Sequence, residues 1–87
     1  MPSVSLTLVS KPGCHLCDAA RDVITDVVAS LEPATVVVVE ELSIFDDAEL
    51  HEKYVEEIPV VLINGRVHNI WRVDSTRLTK ALLEASE

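Results

Sequence analysis

The chain has 87 residues, 15 acidic against 7 basic side chains, a formal net charge of −8 and a hydrophobic fraction of 48 %. That length allows one small domain, spanning residues 1–87. The charge argues against a nucleic-acid binder, which needs clustered Lys or Arg, and the apolar runs Thr35–Val39 and Ile58–Ile63 are far too short to span a bilayer.

Met1-Pro2-Ser3-Val4 has no basic region ahead of an apolar stretch, so no secretory leader is expected there. Val4–Val9 alternates apolar with polar and ends at Ser10-Lys11-Pro12-Gly13, which predicts a strand running into a turn. From Leu16 the period changes. Leu16, Ala19, Ala20, Val23, Ile24, Val27, Val28 and Leu31 follow the i, i+3, i+4 rule, with Asp18, Arg21, Asp22, Thr25 and Asp26 on the other side. The pattern predicts an amphipathic helix that starts near Cys14 or His15 and stops before Pro33.

Thr35–Val39 is continuous and β-branched, as suits a strand covered on both faces. The acidic pairs Glu40-Glu41 and Glu56-Glu57 read as solvated surface. Asp46-Asp47-Ala48-Glu49-Leu50 opens a short helix that reaches about Tyr54. Ile58–Ile63 is a further strand, and Asn64-Gly65 turns it as a hairpin into Val67–Val73. Asp74-Ser75-Thr76 offers caps for a last helix with Leu78, Ala81, Leu82 and Ala85 on one face. The order β-α-β-α-β-β-α predicts an α/β domain. Its first β-α-β is a right-handed crossover with parallel strands, and its mixed four-stranded sheet has helices on both faces.

The chemistry sits in Cys14-His15-Leu16-Cys17, after a strand and at a helix start. Two cysteines this close are too few to staple a secreted fold, and their bond would close a tiny loop. They read as a reactive pair in a reducing, cytoplasmic setting. A thiolate at a helix N-terminus faces unpaired N–H groups and the positive end of the macrodipole, so the Cys14 pKa is expected below the free value of about 8.5. Lys11 and a protonated His15 would lower it further. Cys14, nearer the helix start, is the expected nucleophile, and Cys17, one turn on, the group that resolves a mixed disulfide. Two buried, inert thiols are the bland alternative. Structural zinc needs four ligands, and His15, His51 and His68 lack the spacing to complete a set. Iron–sulfur ligation within one chain fails likewise, while a cluster shared by a dimer stays open.

Ser10-Lys11-Pro12-Gly13-Cys14-His15-Leu16-Cys17, the element order and Ile58-Pro59 together resemble the thioredoxin superfamily, most closely its glutaredoxin-like branch. The resemblance covers essentially the whole chain. It implies that Pro59 is the cis-proline beside the active pair and that the backbone of Ile58 meets an extended substrate. It implies that Lys11 meets the glycine carboxylate of glutathione. Asp74 matches the acidic residue that holds the glutathione amine, although a helix cap is the plainer reading of it. Glutaredoxins have Pro-Tyr between the cysteines and a Gly-Gly turn before the last helix. Here those positions hold His15-Leu16 and Ile70-Trp71-Arg72-Val73.

The expected function is thiol–disulfide exchange by Cys14 and Cys17, with Lys11, His15, Leu16, Ile58, Pro59 and Asp74 toward the substrate. No metal or tightly bound cofactor is expected, and glutathione or another thiol is the reductant. The partner is a disulfide-containing protein or a low-molecular-weight thiol, met by a monomer. The alternative is a binding module on the same scaffold, holding a protein partner or a dimer-shared metal cluster without redox turnover. Trp71 reads as core or partial lid, or as a wall of a substrate groove. Arg66 and Arg72 suit edge-strand protection or an anionic substrate.

Overall fold

The computed structural model describes residues 3–86. Met1, Pro2 and Glu87 lie outside them, and with them the first residues of the leader argument and the outer bounds of the expected 1–87 domain. The elements run β1 (Ser3–Ser10), α1 (His15–Leu31), β2 (Val36–Ser43), α2 (Ala48–Tyr54), β3 (Val60–Ile63), β4 (Arg66–Ile70) and α3 (Ser75–Ala85). They form one mixed sheet in the order β2-β1-β3-β4. β1 and β2 are parallel, joined by α1, while β3 is antiparallel to both β1 and β4.

Strand alternation divides the core in two. Val4, Leu6 and Leu8 of β1 and Val61 and Ile63 of β3 pack with Ala20, Ile24 and Val27 of α1 and Leu78 and Leu82 of α3. Val9 and Val60 point to the opposite face, where they pack with Tyr54 and Leu50 of α2, Ile44, Ile58 and Cys17. Helices therefore cover both faces. Leu6, Leu8, Leu78 and Leu82 are essentially removed from water, each contributing about 1.5–3 kcal/mol of transfer free energy.

Asn64 and Gly65 both take positive φ, 51° and 82°. These are the values that a two-residue turn needs to match strand twist. The turn is pinned to β1 from both sides. Asn64 N–H donates to the Ser5 carbonyl (2.8 Å), and Asn64 Oδ1 accepts from Ser5 N–H (3.0 Å).

Several expectations need correction. β2 is not covered on both faces. It is an edge strand, and Val36, Val38 and Val39 are exposed while Val37 is buried. The valine run reports β-propensity, which does not say whether a strand ends in the middle of a sheet or at its margin. β2 also continues through Glu40 and Glu41 to Ser43, and Glu41 is bonded within the protein, as described below. α2 begins at Ala48, with Asp47 as N-cap accepting from Glu49 N–H. β3 begins at Val60, because Ile58-Pro59 forms the approach to the strand. β4 ends at Ile70, where the chain turns sharply instead of continuing to Val73.

Candidate redox site

β1 delivers the site. At its last residue, the Ser10 carbonyl accepts from Ile44 N–H (2.9 Å), and Ser10 Oγ donates to Glu41 Oε2 (2.8 Å). Lys11-Pro12-Gly13 then reverses the chain, with Gly13 at φ +73°. A side chain in that conformation costs about 1–2 kcal/mol. A Cβ there would meet nothing within 4 Å, so the requirement for glycine is conformational and not steric.

Cys14 is the N-cap of α1, in extended conformation. Its sulfur takes the place of a capping oxygen: Cys17 N–H donates to Cys14 Sγ at 3.1 Å. Asp18 N–H donates to the Cys14 carbonyl (3.1 Å), the first turn of the helix ladder. The two Cα atoms are 5.2 Å apart and the two sulfurs lie at disulfide-bonding distance. The pair is asymmetric. Cys14 is half-buried, whereas Cys17 is fully buried among Val9, Ile44, Tyr54, Ile58 and Val60. Of the two residues, Cys14 retains contact with solvent and Cys17 has none.

Ile58 belongs to the same apolar cluster as Cys17, against which Cys14 also packs, so the fold brings these three together. The Ile58–Pro59 bond is cis and Pro59 is buried. Among the described residues, no backbone hydrogen bond of the loops and turns uses Ile58. Lys11 and His15 are exposed, and Leu16, between the cysteines, is 41 % exposed. Asp74 is the N-cap of α3, its Oδ1 accepting from Thr76 N–H at 3.0 Å. The capping role is therefore occupied. Among the described residues, no group of three or more His, Cys, Asp or Glu is arranged to hold a metal ion, and no helix is long and apolar enough to cross a membrane.

Two features were not legible in the residues: a polar clasp and the left-handed backbone of Trp71, whose groove position was one of the expected alternatives. One is a polar clasp beside the pair. Arg21 of α1 donates through Nε and Nη2 to the two Glu41 oxygens (2.7 and 2.6 Å) and through Nη1 to Asp18 (2.8 Å). The Arg21 guanidinium holds the Glu41 carboxyl below the usual carboxylate range, with Ser10 assisting against the opposing effect of partial burial. The clasp ties the end of β1 to β2 and α1. Its partners are distant in sequence, and no local motif announces them.

The other is Trp71. Its backbone sits at φ +66°, a rare conformation for a bulky side chain. Trp71 N–H donates to the Pro59 carbonyl (2.8 Å), and Nε1–H donates to the Glu56 carbonyl (3.2 Å). The residue is 54 % exposed, so it is not core. With Leu16, Ala19, Val23, Arg72 and Val73 it lines a groove of about 190 Å³ between α1 and the β4–α3 connection. Nothing in the residue types signals a left-handed tryptophan; only the absent glycines marked the segment as unusual.

Comparison with known proteins agrees with this fold. Residues 5–83 match the family model described as a glutaredoxin-like domain (DUF836). A glutaredoxin-like protein from Dictyostelium discoideum, the YDR286C homolog, is 26 % identical over 78 residues, covering 87 % of this chain and 72 % of that protein. The X-ray structure of the structural genomics target XcR50 from X. campestris is 32 % identical. It superposes with a TM-score of 0.71 over 94 % of this chain and 99 % of its own. Chloroplastic thioredoxin z, at 10 % identity, shares the fold with a TM-score of 0.75 over 97 % of this chain and 79 % of its own.

Proposed function

Because the chain belongs to the glutaredoxin-like (DUF836) domain family of the thioredoxin superfamily, we propose that it is a thiol–disulfide oxidoreductase whose dithiol is Cys14 and Cys17. The observation that carries this reading is the unequal pair. A half-buried sulfur caps a helix, and a fully buried sulfur stands one turn behind it at bonding distance.

The chemistry follows from the placement. In the reduced protein the Cys17 N–H and the helix start favour the Cys14 thiolate over the thiol. That thiolate forms a bond to one sulfur of a substrate disulfide, and the other substrate sulfur leaves as a thiolate. Cys17 then loses its proton and attacks Cys14 Sγ. The bound substrate sulfur leaves and takes up a proton, and two electrons have passed from the dithiol to the substrate. Burial keeps Cys17 from external disulfides while leaving it in reach of Cys14. On this reading an extended substrate pairs with the backbone of Ile58, which no hydrogen bond of the loops and turns uses among the described residues, and the exposed Lys11 and His15 serve the same substrate. Two molecules of a thiol such as glutathione return the oxidised pair to the dithiol and leave as their own disulfide, in a reducing compartment.

The test is turnover with a protein disulfide and a thiol donor. Cys14→Ser is expected to abolish it, and Cys17→Ser to accumulate a covalent adduct on Cys14. Absence of turnover in the unmodified chain with glutathione, dithiothreitol or thioredoxin reductase as donor would sink the proposal.

A further inference from the structure

We propose that the cleft between β4 and the last turns of α3 binds a free α-amino acid with an aliphatic side chain, its carboxylate on Arg66 and its ammonium on Glu84. This goes beyond the dithiol reading and does not depend on it.

The cleft has a volume of about 590 Å³, within the range of small-molecule sites. It lies at the far end of β3 from the cysteines. Val60, the first residue of β3, packs with Cys17, whereas the cleft is lined by Ile63, the last, and by the hairpin that follows. Ile63, Val67, Ala81 and Ala85 give it an apolar floor. Ala81 and Ala85 stand one turn apart on α3, and their short side chains leave the space open.

Two charges define the occupant. Arg66 and Glu84 are both exposed and line the same cleft. The ion pairs among the described residues are those that Arg21 makes with Asp18 and Glu41, so Arg66 and Glu84 are not paired with each other. A guanidinium offers a planar fork of N–H donors that matches a carboxylate, and a carboxylate accepts from an ammonium. A ligand with one sign of charge, such as inorganic phosphate or a simple amine, meets one attractive and one repulsive group. An α-amino acid carries both charges on one carbon, and its side chain covers the apolar floor.

The strand is shaped around the cleft. Val61 pairs with Asn69 and Leu62 with Val67, which leaves His68 as the extra residue of a β-bulge. A bulge re-aims a side chain, and His68 is part of the lining. Burial, and then Arg77, shift its pKa down, so the imidazole is neutral at neutral pH and adds no second cation to the wall. Arg77 itself is outside the lining. The Asn64 turn, bonded to Ser5 through its N–H and its Oδ1, holds that end of the cleft in place before anything binds.

The experiment is an NMR titration of the nitrogen-15-labelled full chain at neutral pH with three probes of the same carbon skeleton. These are L-leucine, isopentylamine, which lacks the carboxylate, and 4-methylpentanoate, which lacks the ammonium. Leucine is expected to shift the amides of Arg66, His68, Glu84 and Ala85 saturably, with a Kd on the order of 1 mM. Each analogue should bind about threefold to fivefold more weakly, as loss of one exposed ion pair implies. Arg66→Gln should bring leucine to the affinity of isopentylamine, and Glu84→Gln to that of 4-methylpentanoate. Ala85→Leu keeps both charges and fills the cleft, so it should abolish the shifts. Absence of a saturable shift at these amides up to about 50 mM leucine would overturn the proposal. So would analogues that bind as tightly as leucine, an order of affinities that survives both charge substitutions, or binding unchanged in Ala85→Leu. Disulfide turnover is read separately, so failure of either reading leaves the other standing.

Discussion

Replacing Cys14 by alanine and, separately, by serine isolates the capping role of this position from its chemistry. Both changes remove the thiol and the possibility of the disulfide, so both are compared under reductant. Serine keeps an acceptor for Cys17 N–H, which now donates to Cys14 Sγ at 3.1 Å; alanine leaves it without one. Loss of an N-cap acceptor costs about 0.5–2 kcal/mol. Cys17 is fully buried, so water cannot easily replace the acceptor, and an unsatisfied buried donor costs about 1–3 kcal/mol. The two ranges overlap at about 1–2 kcal/mol, by which Cys14→Ala should be less stable than Cys14→Ser. With a urea slope of about 1 kcal/mol per molar for a chain this small, the midpoints should differ by about 1–2 M. Equal midpoints would show that Cys14 does not cap the helix, and the stated ground for favouring its thiolate would go with it.

Three further outcomes follow from packing and charge. Leu82→Ala, at a fully buried position between α3 and α1, should cost about 2.7–5 kcal/mol in thermal or urea unfolding. A loss below 1 kcal/mol would contradict its place in the core. Glu41→Gln should cost about 0.2–1 kcal/mol at neutral pH, because the Arg21–Glu41 pair is substantially exposed. Glu41 is held below its usual range by Arg21, so its contribution is present above the unfolded carboxylate pKa of about 4.3. It is lost as pH falls through the folded value, and the gap between variant and parent should close there. His68 is shifted down from its ordinary value, first by burial and then by Arg77, and its Nε2 has no hydrogen-bond partner among the described residues. Its contribution is full above the unfolded pKa of about 6.5 and is lost as pH falls toward the folded one. His68→Leu should flatten stability between neutral pH and pH 5, and an unchanged slope would contradict the assignment.

The paired-cysteine motif was legible because its signals are local. A turn glycine, two cysteines one turn apart and the apolar stripe from Leu16 to Leu31 all lie within one stretch of chain, and the structure makes Cys14 the cap of that helix. The hairpin at Asn64-Gly65 was legible for the same reason, since both residues tolerate the positive φ they adopt. What was not legible depends on topology. The valines of β2 carry the same propensity at an edge as in the centre, and only the strand order exposes Val36 and Val38. Glu41 reads as surface until β1 and α1 bring Ser10 and Arg21 to it. Trp71 reads as a strand residue until Pro59 and Glu56 accept its two N–H groups and the chain turns out of the sheet.

The central claim is that Cys14 is the attacking thiolate and Cys17 the shielded sulfur behind it. Alkylation of the reduced protein by iodoacetamide, resolved for each cysteine by mass spectrometry across the range from about pH 5 to about pH 9, tests it most directly. The expected result is that Cys14 is labelled first at every pH, already rapidly below the ordinary thiol range of about 8.5, while Cys17 stays protected in the folded chain. Labelling of Cys17 ahead of Cys14, or a Cys14 profile that follows an ordinary thiol, would contradict it.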